Sequence, residues 1–420
     1  MSRLDIFTKN KATSIEEELT RGVVRDWAND IVIPMRRQYD EDWKDHKIIE
    51  PAFKALMVDL NFQMALFPEE FGGLGSGESD NLATQSCWMF EELARADSGM
   101  AVAYGVCTWP IVMIAVKPHI NKRLCAEFAP MFLNEDRPVF SALTMTEPQG
   151  GSDIENLDLL HGRTIKTTAT LDGDEWVING HKLWPSNTGG LADLMGVVCT
   201  TKPGSDDEKD MAFIFVPADT PGVTQGKPYE KTGMATDKNS DVWFENVRVP
   251  SWYRAHGPGL DAQYFREVVT LGMLSASFAT GVMMNVYEIL YDFCSEKTLN
   301  NKPLKEHDAI AAELAEIVAG IEASRAAVYR VAEILDRPDL YGPRWSPEIG
   351  ARARLMKMFV SDRSLKDCEK AMEILAAYGA DRQWDIEKHW RDLKIIQLWE
   401  GGKQLCQMEG ARYFFDCKTL

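Results

Sequence analysis

None of the eight cysteines in this 420-residue chain forms a CxxC pair: Cys87, Cys107, Cys125, Cys199, Cys294, Cys368, Cys406 and Cys417 stand apart. That spacing excludes a disulfide frame and fits reduced, buried thiols. The seven histidines are equally dispersed and no HExxH occurs, so no metal is expected. No GxxxxGK[ST] segment is present, and GGLGSG at Gly72–Gly77 follows no strand pattern, which excludes the usual nucleotide cradles. Bases are outnumbered by acids, 46 to 64, for a net charge of −18. Nucleic acid is therefore excluded as the main partner, although one anionic ligand could still find a local site. The opening MSRLDIFTKNKATSIEEELTRG mixes acids with bases and has no apolar run of its own, so it does not read as a signal peptide. No stretch reads as a membrane span, and the cytoplasm is the default expectation.

What is present is ample core material, 45% hydrophobic residues against 26% charged, in a chain long enough for two or three domains. Three compositional blocks follow one another. Helical periodicity runs through EEELTRGVVRDWANDIV, PAFKALMVDL and LATQSCWMFEELARA. From Phe140 to Pro250 short β-rich runs alternate with turn signals: IKTTATLDGDEWVINGHKLWPSN reads as strand, DGD turn, strand, NG turn, strand, and LMGVVCTT, MAFIFVPA and DVWFENVRVP read as further strands. Helical patterning then returns, with Leu314, Ile317, Val318, Ile321, Val328, Val331 and Leu335 marking one buried face. The expected fold is α+β and multidomain: a helical domain over 1–139, a β-barrel-like domain over 140–254 and a helical bundle of four or more long helices over 255–420.

Three short segments carry chemistry. MTEPQGGSD, Met145 to Asp153, puts adjacent glycines between Thr146 and Ser152, offering backbone N–H groups and hydroxyls to a flat polar ring or a phosphate. In KLWPSN, Trp184 could stack on a planar ring while Ser186 and Asn187 bond its edge. In LWEGGKQ, Glu400 precedes a glycine pair that stops the helix begun by DLKIIQ, which makes it a last-turn residue. An anion there is disfavoured by the helix dipole, and burial beside Trp399 would raise its pKa. Glu400 is then either a solvated helix-end carboxylate or a tuned general base.

Taken together, MTEPQGGSD, INGHKLWPSN and RDLKIIQLWEGGKQ resemble the signature segments of the acyl-CoA dehydrogenase family, and FPEEFGGLG with EELARADS resembles its amino-terminal pattern. The similarity runs in order over nearly the whole chain. It implies a homotetrameric flavoenzyme of helical domain, β-barrel-like domain and four-helix bundle that holds FAD. Carried over by position, it makes Glu400 the catalytic base. It assigns Leu143, Met145, Thr146, Gly151, Ser152, Trp184, Ser186, Lys297 and Gln404 to the cofactor, and Ser152 and Gly401 to the substrate. The implied reaction is α,β-dehydrogenation of an acyl-CoA thioester to a 2,3-enoyl-CoA. Glu400 removes the α-proton, a hydride passes to flavin N5, and an electron-transferring flavoprotein is the implied acceptor.

The chain departs from the family pattern in several places. Lys297 stands where an Arg is usual, Glu373 replaces the Gln before a glycine pair that is here Ala376–Ala377, Gly272 occupies the register of a substrate-side Arg with Arg266 displaced, and EGT has become EGG, so that Gly402 lacks a hydroxyl. These changes point to a divergent branch handling a cyclic, branched or aromatic acyl group. An acyl-CoA oxidase or 1,4-type dehydrogenase on the same scaffold, or a non-catalytic subunit of a heteromeric dehydrogenase, are the alternatives.

Overall fold

The computed structural model describes residues 4–8, 15–151 and 165–417. Its first third is helical: α1 (Ile15–Trp27), α2 (Leu82–Ala96), α3 (Ser98–Ala115) and α4 (Lys122–Phe132), joined by short helical turns. Asp97 breaks the chain between α2 and α3. Its backbone is extended, and its carboxylate caps α3 by accepting from the Met100 N–H at 2.9 Å. α3 corrects one expectation. It is 18 residues long with a mean hydropathy of 1.5, so by length and composition it would span a membrane, as would the segment Leu260–Glu296. Both are core helices, with 89% and 94% of their most apolar windows buried. A helix apolar all round is one enclosed by protein on every side.

Among the described residues, seven strands form one curled sheet: β1 (Phe140–Thr144), β2 (Thr168–Asp172), β3 (Glu175–Lys182), β4 (Ala192–Thr200), β5 (Met211–Pro217), β6 (Val223–Gln225) and β7 (Val242–Pro250). The order is β1-β4-β2-β3-β7-β6, with β5 also on β4. β1 runs parallel to β4 and β5 antiparallel to it. The apolar runs LMGVVC and MAFIFV are buried along their whole length, which is what covering both faces of a strand demands. The Asn179–Gly180 pair is not a turn, contrary to the sequence reading. β3 continues through it, and its register on β7 shifts between Ile178 and Gly180. Gly180 is required there because a Cβ would lie 2.4 Å from Thr167 Oγ1.

The last block holds α5 (Leu260–Gly272), α6 (Ala276–Glu296), α7 (Asp308–Asp336), α8 (Pro347–Leu375), α9 (Ile386–Leu398) and α10 (Gly402–Phe415). On α7 the anticipated face is the packed one: Ile317, Ile321, Val328, Val331 and Leu335 are buried, and Leu314 and Val318 pack partly against the same core. The three blocks are tied by one buried polar network. Lys388 on α9 pairs with Asp97 at 2.9 Å and Asp392 at 2.6 Å. Thr236 Oγ1 donates to Asp97 at 2.6 Å, and Asp392 accepts from Ser98 Oγ and the Met234 N–H, both at 2.7 Å. Burial alone would raise the pKa of Asp97, yet Lys388 and the hydrogen bonds hold it below the usual carboxylate range. Asp97 is a structural carboxylate at the centre of this network. Asp97→Asn is expected to destabilise this network, because Asn would strip one counter-charge from a buried lysine. This network fixes α9, and so the segment after it, against the other two blocks.

Candidate active site

Glu400 lies beyond the last turn in which the sequence placed it. α9 ends at Leu398 and Trp399 is its C-cap. Glu400, Gly401 and Gly402 then take three successive positive φ values of 48°, 87° and 54° before α10 continues. The glycines make this run affordable, whereas Glu400 itself carries a strain of about 1–3 kcal/mol. The turn is closed at one oxygen: the Trp399 carbonyl accepts from the Gly402 N–H at 3.0 Å and from Nζ of Lys357, a lysine on α8 with no exposed surface.

The Glu400 carboxyl is accordingly aimed inward. Oε2 accepts from Ser275 Oγ, in the short link between α5 and α6. Oε1 is buried and has no partner among the described residues. Burial pushes the carboxyl up to about 7, against the opposing pull of Lys357, the Ser275 hydrogen bond and Arg354. Arg354 is itself paired with Glu409 on α10. A carboxyl held near neutral pH, with one oxygen oriented and the other unpartnered, can take up a proton from a weakly acidic carbon.

Glu400 lines a cavity of about 550 Å³. Its walls are Val106 and Trp109 of α3, Leu143, Met145, Thr146 and Gly151 at and after β1, Leu183 to Ser186 after β3, and Ile395, Leu398 and Trp399 at the end of α9. The two polar segments read from the sequence are brought together by a buried ion pair. Lys182 Nζ donates to Glu147 Oε1 at 2.8 Å and to the Met145 carbonyl at 2.9 Å, and the Leu183 N–H donates to the Thr146 carbonyl at 2.9 Å. Asn187 clips the second segment to α3 and β1 by donating to the carbonyls of Ala103 and Ser141 at 3.0 and 3.1 Å. Trp184 is thereby held at φ +66° with 52% of its surface exposed, its ring centroid 4.2 Å from that of Tyr229. Ser186 Oγ donates to Asp237 at 3.1 Å.

Of the residues named from the sequence, Leu143, Met145, Thr146, Gly151, Trp184, Ser186 and Glu400 line this cavity. Gly401 sits in the turn beside it and Gln404 is exposed on α10. Lys297 follows α6, its Nζ 4.7 Å from the Tyr378 ring centroid, and does not line the cavity. Ser152 lies outside the described residues. Sequence reasoning missed Ser275, Lys357 and Trp109, and also Lys231, Asp237 and Asn239, which line the cavity from the segment before β7. The one available signal was Thr236–Ser240, five polar residues inside a β-rich block, all of them buried.

The cavity fits the ring system of a flavin. A half-exposed indole and apolar side chains face it, polar groups at Thr146, Ser186 and Asn239 stand at its margin, and Oδ1 of Asp237 is a buried atom without a partner among the described residues.

The chain matches the acyl-CoA dehydrogenase N-terminal, middle and C-terminal domains over residues 14–124, 142–247 and 272–412. It is 28% identical over 405 residues to cyclohexane-1-carbonyl-CoA dehydrogenase of Syntrophus aciditrophicus (strain SB), covering 94% of this chain and 95% of that protein. It is 27% identical over 406 residues to cyclohex-1-ene-1-carbonyl-CoA dehydrogenase of Geobacter metallireducens, covering 94% and 97%. The solved structure of butyryl-CoA dehydrogenase from Megasphaera elsdenii superposes with a TM-score of 0.82 at 23% identity, over 96% of this chain and 99% of that one. With all three domains matched in order, this chain belongs to the acyl-CoA dehydrogenase family, and it is a divergent member of it.

Proposed function

We propose that the protein is an FAD-dependent dehydrogenase that introduces an α,β double bond into an acyl-CoA thioester carrying a cyclic acyl group. The observation that carries this reading is Glu400, a carboxyl raised to about 7 that lines the same cavity as Trp184. FAD, when bound, supplies the hydride acceptor. Thr146, Gly151, Trp184 and Ser186 would hold its ring system, with Leu143 and Met145 as apolar backing.

The chain's own residues do the acid–base work. A thioester α-proton is a weak acid, and Glu400 meets it with a base whose pKa lies near neutrality. Ser275 fixes the rotation of the carboxyl by bonding Oε2, which leaves Oε1 for the proton. Val106, Trp109 and Ile395 give the cavity apolar walls near the base. Support for a ring substrate comes from the relatives named for cyclohexane- and cyclohexene-carbonyl-CoA. A cytoplasmic homotetramer handing its electrons to an electron-transferring flavoprotein completes the proposal, with Lys297 reaching cofactor across a subunit boundary, Gln404 contacting cofactor, and Ser152 and Gly401 contacting substrate.

The test is anaerobic bleaching of the flavin by a panel of thioesters: cyclohexanecarbonyl-, cyclohex-1-enecarbonyl-, butyryl- and octanoyl-CoA. Fastest bleaching by cyclohexanecarbonyl-CoA is expected, preference for a straight chain overturns the substrate assignment, and fastest bleaching by cyclohex-1-enecarbonyl-CoA, which has no α-proton, would make the enzyme a 1,4-type dehydrogenase. Rapid reoxidation of the reduced, product-bound enzyme by oxygen would make it an oxidase. A colourless protein that cannot be reconstituted with FAD would make it a non-catalytic subunit.

A further inference from the structure

Gly272, the last residue of α5, is buried and has φ −56° and ψ −32°. Any L-residue adopts that conformation, so the backbone does not require glycine here. The requirement is spatial. A Cβ at this position would stand 3.0 Å from Glu400 Oε1 and 3.1 and 3.2 Å from Cζ2 and Cη2 of Trp109, inside the roughly 3.5–4.0 Å at which carbon atoms pack. Trp109 and Glu400 also line the same cavity. Its indole edge therefore rests on bare backbone, withdrawn from the cavity into space that a side chain at 272 would fill.

We infer that Gly272 and Trp109 together set the width of the cavity beside the base, and that this pair selects acyl groups whose α-carbon bears two carbon substituents. The inference rests on Glu400 being the α-proton base. A straight-chain thioester presents an α-carbon with two hydrogens and one carbon chain. A ring carboxylic thioester presents one hydrogen and two ring carbons, only one of which is desaturated, and the second needs room next to the carboxylate. With a methyl group at 272, the carboxyl lies on one side and the indole on the other. The indole is the partner with open space beside it, and that space is the cavity. The displaced ring narrows the part of the site that a second α-substituent would occupy, while a straight chain keeps its single path.

The experiment uses the FAD-loaded enzyme as Gly272→Ala, Trp109→Phe and the double variant. Flavin reduction is timed with cyclohexanecarbonyl-CoA and with butyryl-CoA. Binding of benzoyl-CoA, a ring thioester with no α-proton to lose, is measured by calorimetry against crotonyl-CoA. In Gly272→Ala the ring-to-straight ratio of rates should fall by about tenfold or more, the range for one methyl group in a packed pocket, and benzoyl-CoA binding should weaken relative to crotonyl-CoA. Trp109→Phe, which gives back room, should restore both ratios in the double variant. Equal losses for both substrates would show that Gly272 acts on the base alone, and unchanged ratios would show that it does not gate width; either result overturns the inference. Should Gly272→Ala fail to fold, Trp109→Phe alone decides, because it must move the ratio toward the ring thioester. If the parent enzyme is bleached by no thioester, the proposed reaction fails, and the benzoyl-to-crotonyl binding contrast still decides the question of width.

Discussion

Lys357 Nζ donates to the backbone carbonyl of Trp399, the residue that immediately precedes Glu400. The contact joins the middle of α8 to a turn of three left-handed residues, and it places a buried cation close enough to Glu400 to pull its pKa down. One lysine thus holds the strained backbone of the base and tempers the base's proton affinity.

Replacing that lysine separates the two roles. The charged groups facing Glu400 are Lys357 and Arg354 from α8, the latter paired with Glu409 of α10, and Ser275 supplies the hydroxyl. The base works deprotonated, so flavin reduction by substrate should rise with pH through about 7 in the parent. In Lys357→Met the lowering influence is gone, so the limb should move to higher pH, whereas Lys357→Arg should keep it near the parent position. A loss of melting temperature with an unmoved limb would make Lys357 a structural residue only.

Glu400→Gln should retain flavin and dock substrate but slow flavin reduction by about 10²–10⁴-fold, as losing a positioned base does. Stability should move the other way. Between pH 4.5 and about 7 the folded carboxyl keeps a proton that the unfolded one releases, so parent stability falls as pH rises through that window. The full difference amounts to about 3 kcal/mol above it. Glutamine does not titrate, so the variant's melting temperature should gain on the parent's from pH 4.5 to 7. Parallel melting curves across that range would show that Glu400 is not held at a raised pKa.

Trp184→Ala should weaken FAD retention and leave the fold standing, because 52% of the residue's surface is open and its side chain lines the cavity. Equilibrium dialysis of FAD alongside thermal melting measures both. Unchanged FAD affinity with a collapsed melting temperature would make it a core residue.

Ala376 follows α8 at φ +53° and ψ −124°, a conformation natural to glycine. It stands at the position where the family pattern has a glycine, so the backbone has kept the glycine shape under an alanine. Ala376→Gly should raise stability by about 1 kcal/mol, the relief of strain exceeding the added flexibility of the unfolded chain. Urea unfolding gives the sign directly, and a loss of stability would show that the alanine methyl packs usefully.

The block order and most strands were legible in the sequence because they rest on local periodicity. MAFIFV is apolar at every position and buried on both faces of its strand. The misreadings arose where a distant partner overrides a local signal. Asn179–Gly180 reads as a turn, but β7 pairs across it, and the close approach of Thr167 explains the glycine. The uncharged run of α3 reads by composition like a membrane span once its length is seen, and only the surrounding helices and β1 make it a core element.

The sequence by itself determined which residues are chemically equipped: a carboxylate before two glycines, a tryptophan before Pro-Ser-Asn, and a Gly-Gly loop between hydroxyls. The tertiary structure decided what they do together. Lys182 and Glu147 join the second and third of these, the Asp97–Lys388–Asp392 network sets α9 against them, and Ser275, Lys357 and Gly272 converge on Glu400 from two other helical segments. The physical reason is range. Helix and strand patterns are set by neighbours a few residues away, whereas a carboxyl's burial, its opposing charges and the space beside it depend on chain that is distant in sequence.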